Sequence, residues 1–348
     1  MGSSPESFET SSPGPGLVGH PFSAPDELRI VIQHRDTAAA RQSELVEGLL
    51  GMPARIAPKF FYDIQGSVLY EAICMLDEYY PPRVEASIFE NFRQEIAAAL
   101  PSASQFVDLG CGDGAKARLW VEPLQVRRYL GVDIAPEWLN STLQRGVREF
   151  PGVTFEGVVT DFTRGLDLHA LLAPELPRIF FYPGSSIGNF EPDAAVRLLR
   201  QVRRHLRNND RLLIGVDAPK PRETLIPAYD DALGVTAAFN RNVLRVANRE
   251  LGADFRIEDF EHRALFDEAA SRIEMHLVAR RAVRVRLGPK AQRAFERGEA
   301  IVTEHSYKYD RDRFEGLLSK AGFGHVTCFT DPRGWFGVYI AAPAVYSQ

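Results

Sequence analysis

The stretch VDLGCGDGAK, residues 107–116, sets three glycines, two aspartates and a lysine where a chain could wrap a small ligand. Gly110, Gly112 and Ala115 satisfy the G-x-G-x-x-A form of the dinucleotide fingerprint, and Asp133 follows at about the 20 residues that fingerprint requires. A tight strand-to-helix turn with no ligand is the plain alternative. Asp113 separates the ligand classes, because a carboxylate inside a loop whose amides cradle a pyrophosphate would repel it. S-adenosylmethionine has no phosphate; it carries a sulfonium, an ammonium and a ribose diol, all tolerant of carboxylates. With that cofactor, Asp133 is expected to accept from both ribose hydroxyls, Asp161 from the adenine amino group, and Phe162 to cover the adenine ring. Lys116 is expected to pair with a carboxylate of cofactor or substrate. An NAD-dependent oxidoreductase stays open as the reading from another class.

Further along, FFYPGSSIGNF (180–190) runs strand-like residues into a turn that carries a lone amide, Asn189. Asn189 either holds a ligand at a strand end or caps the helix that starts near Pro192 and Asp193. Glu304 and Ser306 stand two apart on a strand, so they share a face, with Val302 beside them. A carboxylate next to a hydroxyl matches an imidazole, one accepting from N–H and the other serving either nitrogen. Lys308 continues the same face and could instead neutralise Glu304 in a surface pair.

The elements that must position these groups follow an alternating pattern. QFVDL, RRYLGVDI, VTFEGVVTDF, RIFFYPG and DRLLIGVDA read as strands separated by helical segments, which implies βαβ units on a parallel sheet. Ligands of such sheets bind at the carboxyl ends of the strands. Residues 27–100 read as mostly helical; within them Val84, Ile88, Phe92 and Ile96 recur every fourth residue after a double proline. Residues 219–308 break the rhythm with a helix and long alternating strands. The domain reading is a disordered tail (1–26), a helical segment (27–100) joining a substrate domain inserted at 219–308, and a main domain from 101–218 and 309–348.

Composition limits the partners. The 348 residues are 45% hydrophobic and 25% charged with a net charge of −5, which gives no pull toward nucleic acid or anionic membrane. No apolar run approaches the roughly 20 residues of a membrane span. Three cysteines without CxxC spacing fit a reduced, cytoplasmic setting, and eight scattered histidines give no metal-binding pair. A monomer without bound metal is expected.

FFYDIQGSVLYEAICMLDEYYPPR, GSSIGNF, AYDDALGVTAAFNRNVL, RIEMHL and TEHSYKY together closely resemble the histidine Nα-methyltransferases of ergothioneine biosynthesis, from about Ala57 to Ala342. The resemblance implies an α/β Class I (Rossmann-like) methyltransferase domain with an inserted α+β substrate-binding domain. It also implies three methyl transfers from S-adenosylmethionine to the α-amino group of L-histidine, giving hercynine. The cofactor positions it implies are Gly110, Lys116, Asp133, Asp161 and Phe162, with Tyr62 near the reacting centre as a receiver of the amine proton through water. The substrate positions it implies are Tyr79, Asn189, Tyr229 and Glu304, His305 and Ser306, with Gly184, Phe239 and Met275 lining the pocket. Asn189 and Tyr229 would hold the amino-acid end. The glycine loop departs from the family, which usually carries a Ser/Thr-rich version before the lysine. A methyltransferase of another amino acid or amine is the nearest alternative.

Overall fold

A computed structural model describes residues 28–34, 37–289 and 291–344. The tail expected over 1–26 lies outside the described residues. In chain order come strand β1 (Arg29–His34), helix α1 (Ala38–Leu50), the short β2 (Ala54–Arg55), α2 (Ile64–Cys74), α3 (Pro81–Asn91) and α4 (Arg93–Ala99). Alternation then sets in with β3 (Gln105–Leu109), α5 (Ala115–Arg118), β4 (Arg128–Asp133), α6 (Pro136–Glu149), β5 (Thr154–Thr160) and β6 (Arg178–Tyr182). It continues through α7 (Pro192–Arg204) and β7 (Arg211–Asp217). Next are α8 (Arg222–Tyr229), α9 (Val235–Leu251), β8 (Phe260–Asp267), β9 (Arg272–Ala279), β10 (Val283–Arg286), β11 (Gln292–Phe295) and β12 (Ala300–Tyr307). The chain closes with α10 (Arg311–Lys320), β13 (Phe323–Thr330) and β14 (Phe336–Pro343).

The main sheet has eight strands in the order β1-β5-β4-β3-β6-β7-β14-β13. The six from β1 to β7 are parallel; β14 runs antiparallel between β7 and β13. This is the Class I methyltransferase arrangement, with β1 added on one edge. Covered on both faces, its strands are near-continuous apolar runs, and β3 is buried throughout. Parallel order also brings the carboxyl ends of β3 to β7, and hence Asp133, Asp161, Gly184 and Asp217, to one edge of the sheet.

The helical reading of 27–100 fails at its start. Arg29–His34 pairs with β5 because RIVIQH is rich in β-branched residues and fits an edge strand better than a helix. The same stretch also divides between two partners. The first helices, α1 and α2, pack on α9 of the inserted unit, whereas α3 lies against β14 of the main sheet. That follows from its apolar stripe, where Val84, Ile88 and Phe89 are buried behind the Pro81-Pro82 start.

The inserted unit carries a second sheet ordered β2-β12-β9-β8 and the hairpin β10-β11. Its strand β12 meets the turn after β6 so closely that a Cβ on Gly188 would lie 2.6 Å from the Tyr307 carbonyl oxygen. The obstacle is backbone, which cannot swing aside. Gly188→Ala is therefore expected to destabilise the protein by about 1–3 kcal/mol, the scale of overpacking. Denaturant unfolding measures this, and an unchanged midpoint would show that the two units are not in firm contact there.

Candidate active site

The glycine loop between β3 and α5 needs glycine for a backbone reason. Gly110, Gly112 and Gly114 have φ of 69°, 50° and 66°, in the left-handed region that other residues rarely adopt. A Cβ on Gly110 or Gly112 would meet nothing within 4 Å, so the loop's outer side has room for a ligand, whereas Gly114 is packed against Thr142. Asp133, ending β4, accepts from the Gly112 and Ala135 amides at 3.0 Å each, which fixes its carboxylate beside the loop. Burial raises its pKa, partly offset by those two amides. Asp113 is exposed and accepts from the Ala115 amide at 3.0 Å. Acidic groups thus dominate the loop, a poor setting for a pyrophosphate and a good one for sulfonium and ammonium. The sequence assigned the adenine amino group to Asp161, but here its oxygens accept from Lys59 at 3.2 Å and from the Thr163 hydroxyl at 2.5 Å and amide at 3.1 Å. Phe162 stands edge-on to Tyr182 with ring centroids 6.0 Å apart.

Lys116 does not wait for a ligand carboxylate alone. Its ammonium bridges to Glu85 at 2.5 Å, and the other Glu85 oxygen accepts from the Gly184 amide at 2.8 Å. Glu85 is fully buried against β7, where a Cβ on Gly215 would lie 2.0 Å from its carboxylate. Sequence reading missed Glu85. The available signal was a carboxylate one turn before Phe89 on the core-facing stripe of α3. The turn it holds is strained: Gly184 and Ser185 have φ of 75° and 59°, and the Ser185 hydroxyl accepts from the Asp217 amide at 2.9 Å. Asn189 ends a 3₁₀ turn (Ser186–Asn189) and does not cap α7, whose N-cap is Glu191 with Pro192 following. Among the described residues its carboxamide has no protein partner.

Across the cleft stands an aromatic wall. Tyr62 meets Tyr70 and Phe239 edge-on at 5.8 and 6.1 Å, Tyr70 meets Tyr79 at 6.4 Å, and Tyr79 meets Tyr229 at 6.0 Å. Phe239 itself stacks on Phe61 at 4.5 Å. Sequence reading missed Tyr70, a residue of α2 that lies within the FFYDIQGSVLYEAICMLDEYYPPR stretch but was given no role there. Tyr62 is 37% exposed, yet the crowding around its phenol, then the nearby Glu304 carboxylate, pushes that group up, so it stays protonated at neutral pH. Tyr62 can receive a proton only by passing its own along. The same residue feels Asp133 and so joins the cofactor side to the substrate side.

The second sheet supplies the polar groups. Glu304 and Ser306 keep their common face, opposite Met275 and Ile273 of β9. Val302 belongs to a different phase, because a bulge at Thr303 shifts the register between Val302 and Glu304. Burial lifts the Glu304 carboxyl to about 7, with Lys308 pulling the other way. Lys308 is no surface partner of Glu304. It is buried, and its ammonium binds Asp217 at 2.8 Å. His305 is also placed otherwise than expected: strand alternation turns its ring to the opposite face, where it binds Glu191 at 2.9 Å with Glu274 at 3.8 Å. Tyr229 touches Ser306, hydroxyl to hydroxyl, at 2.8 Å.

The sequence model of a family described as "Histidine-specific methyltransferase, SAM-dependent" matches residues 41–343. The histidine N-alpha-methyltransferase of Mycolicibacterium smegmatis is 38% identical over 313 residues, covering 88% of this chain and 96% of that protein. The protein of the same name from Mycobacterium tuberculosis is 38% identical over 312 residues, covering 87% and 95%. Ergothioneine biosynthesis protein 1 of Neurospora crassa is 32% identical over 289 residues, covering 80% of this chain and 32% of that protein. The choice between a dinucleotide and a methyl donor is thereby closed in favour of S-adenosylmethionine. The chain belongs to the histidine-specific, S-adenosylmethionine-dependent methyltransferases.

Proposed function

We propose that this enzyme methylates the α-amino group of L-histidine three times, giving N,N,N-trimethylhistidine (hercynine) for ergothioneine biosynthesis. The observation that carries the substrate is the pair Glu304 and Ser306 on one face of β12, walled by Met275 and the tyrosines. A carboxylate and a hydroxyl so placed suit the two nitrogens of an imidazole. S-adenosylmethionine supplies the methyl group, on a positive sulfur. The loop glycines, Asp133, Asp161, Phe162 and Lys116 are the residues to hold it, and the open side of Gly110 and Gly112 beside buried carboxylates supports that fit.

The chain's own work is to orient the amine and to accommodate charge. Asn189 and Tyr229 are assigned to the amino-acid end, and holding the nitrogen in line with the methyl supplies several kcal/mol of the barrier reduction. A relay through the Tyr62 hydroxyl carries the amine proton away. As methyl groups accumulate the nitrogen becomes a quaternary cation, which the faces of Tyr62 and Phe239 stabilise by cation–π attraction. Gly184, Tyr79 and Met275 complete the lining. The reading includes a cytoplasmic monomer. Three free cysteines support a reducing compartment.

Calorimetric titration is expected to show binding of S-adenosylmethionine and none of NAD, with Asp133→Ala weakening the former by about 1–3 kcal/mol. Binding of NAD alone would overturn the reading. Asn189→Ala is expected to raise the KM for histidine about five- to fiftyfold while leaving that for the cofactor within about twofold, the loss of one or two hydrogen bonds. Equal small changes in both constants would remove Asn189 from the substrate.

The Glu304 carboxyl, raised to about 7 by burial, gains its proton as the pH falls through neutrality and then offers a ring N–H only a neutral carbonyl, without the charge that strengthens the bond. The value of kcat/KM for histidine is therefore expected to fall below about pH 7 more steeply than in Glu304→Gln. The substrate's own ring titration is common to both proteins and cancels in their ratio. Parallel profiles would place imidazole recognition elsewhere.

A further inference from the structure

Lys308 has three N–H donors, and all are taken. They reach Asp217 at 2.8 Å, the Tyr229 hydroxyl at 2.7 Å and the Ser306 hydroxyl at 2.9 Å. Each hydroxyl oxygen therefore already accepts one hydrogen from the ammonium. The two hydroxyls are 2.8 Å apart, so one of their two protons is spent between them. A single O–H hydrogen remains to leave the pair, and the ammonium behind it strengthens donation and disfavours acceptance.

The charge count points the same way. Asp217 and Lys308 have side chains 1% exposed, and Asp217 also receives Lys220 at 2.6 Å and Tyr80 at 2.6 Å. Lys220 spends its other donors on the Ala218 and Trp335 carbonyls, at 2.6 and 2.7 Å. One carboxylate thus lies between two ammonium groups. Glu304, on the strand that Lys308 directly follows, makes no ion pair with it. Asp331, also buried, acts on Lys220 from further off, and Lys308 has Asp217 as its one close carboxylate. Tyr229 and Ser306 are the groups through which Lys308 reaches toward Tyr79 and the Glu304 face of β12.

We propose that Lys308, held by Asp217, is a positioning residue: with Ser306 donating to Tyr229, it makes the Tyr229 hydroxyl a hydrogen-bond donor for the carboxylate of the amino-acid substrate and leaves Ser306 one lone pair toward the ring. This rests on the histidine reading and deepens it: the site selects an α-amino acid and discriminates against an amine that carries the same ring. The test starts with the unaltered protein and two ligands, 3-(imidazol-4-yl)propionate and its amide, compared by calorimetry. The acid is expected to bind about tenfold or more tightly, on the scale of a charge-assisted hydrogen bond. Equal binding overturns the proposal.

Lys308→Met is then expected to bring the acid-to-amide ratio near one while S-adenosylmethionine affinity stays within about twofold. A variant that loses both ligands in equal proportion, with the ratio kept, would make Lys308 merely structural and overturn the proposal. Should that variant not fold, Tyr229→Phe, which removes the donor without burying an unpaired charge, is read in the same way. Failure to methylate histidine at all would overturn the earlier reading, whereas methylation of histidine without discrimination between the ligands would overturn only this one.

Discussion

A carboxylate buried at the end of β7 must be answered by donors, and the way Asp217 is answered sets the rest of the site. Its partners come from three separated stretches: Tyr80 at the start of α3, Lys220 just after β7, and Lys308 beyond β12. Burial works against its ionisation, yet the two ammonium groups hold the carboxyl below the usual range. Removing either lysine would strand charge in the interior, so the N-terminal helices, the main sheet and the inserted sheet are fixed relative to one another at that point. Burial likewise draws Lys220 down to about 8, and Asp217 keeps it from falling further.

The neighbouring constraint is steric. Glu85 can join Lys116 to the Gly184 amide only because Gly215 leaves its side of β7 bare. The turn after β6 can lie against β12 only because Gly188 has no side chain. Two absent Cβ atoms, one on each side of that turn, let a buried carboxylate and a second sheet approach a single loop. The loop's left-handed residues, Gly184 and Ser185, are then held by hydrogen bonds from outside it rather than by their own preference.

Much of this was legible in the residues. The alternation after Gln105 gave the parallel sheet, and parallel order alone placed Asp133, Asp161, Gly184 and Asn189 along one edge. Glu304 and Ser306 were legible because period-2 alternation holds without interruption between them. The failures have a common form. Arg29–His34 was absorbed into a helical stretch because an edge strand's partner is distant in sequence. His305 entered by adjacency to its neighbours, although alternation points it away from them. Glu85, Tyr70 and the true partner of Lys308 depend on contacts between elements that no local period encodes. A buried charge resembles a surface charge until its counterion is known.

The bulge at Thr303 divides β12 into two lengths with separate duties. Ala300–Val302 runs beside β2 and so carries the N-terminal segment, while Glu304–Tyr307 presents the face toward the cleft. The extra residue sits between them, its hydroxyl bound to the Met275 carbonyl at 2.9 Å. It works as an expansion joint. A register change of Ala300–Val302 against β9 can be taken up at Thr303 without turning Glu304 and Ser306 over to the wrong side, so the half that chooses the substrate keeps its aim.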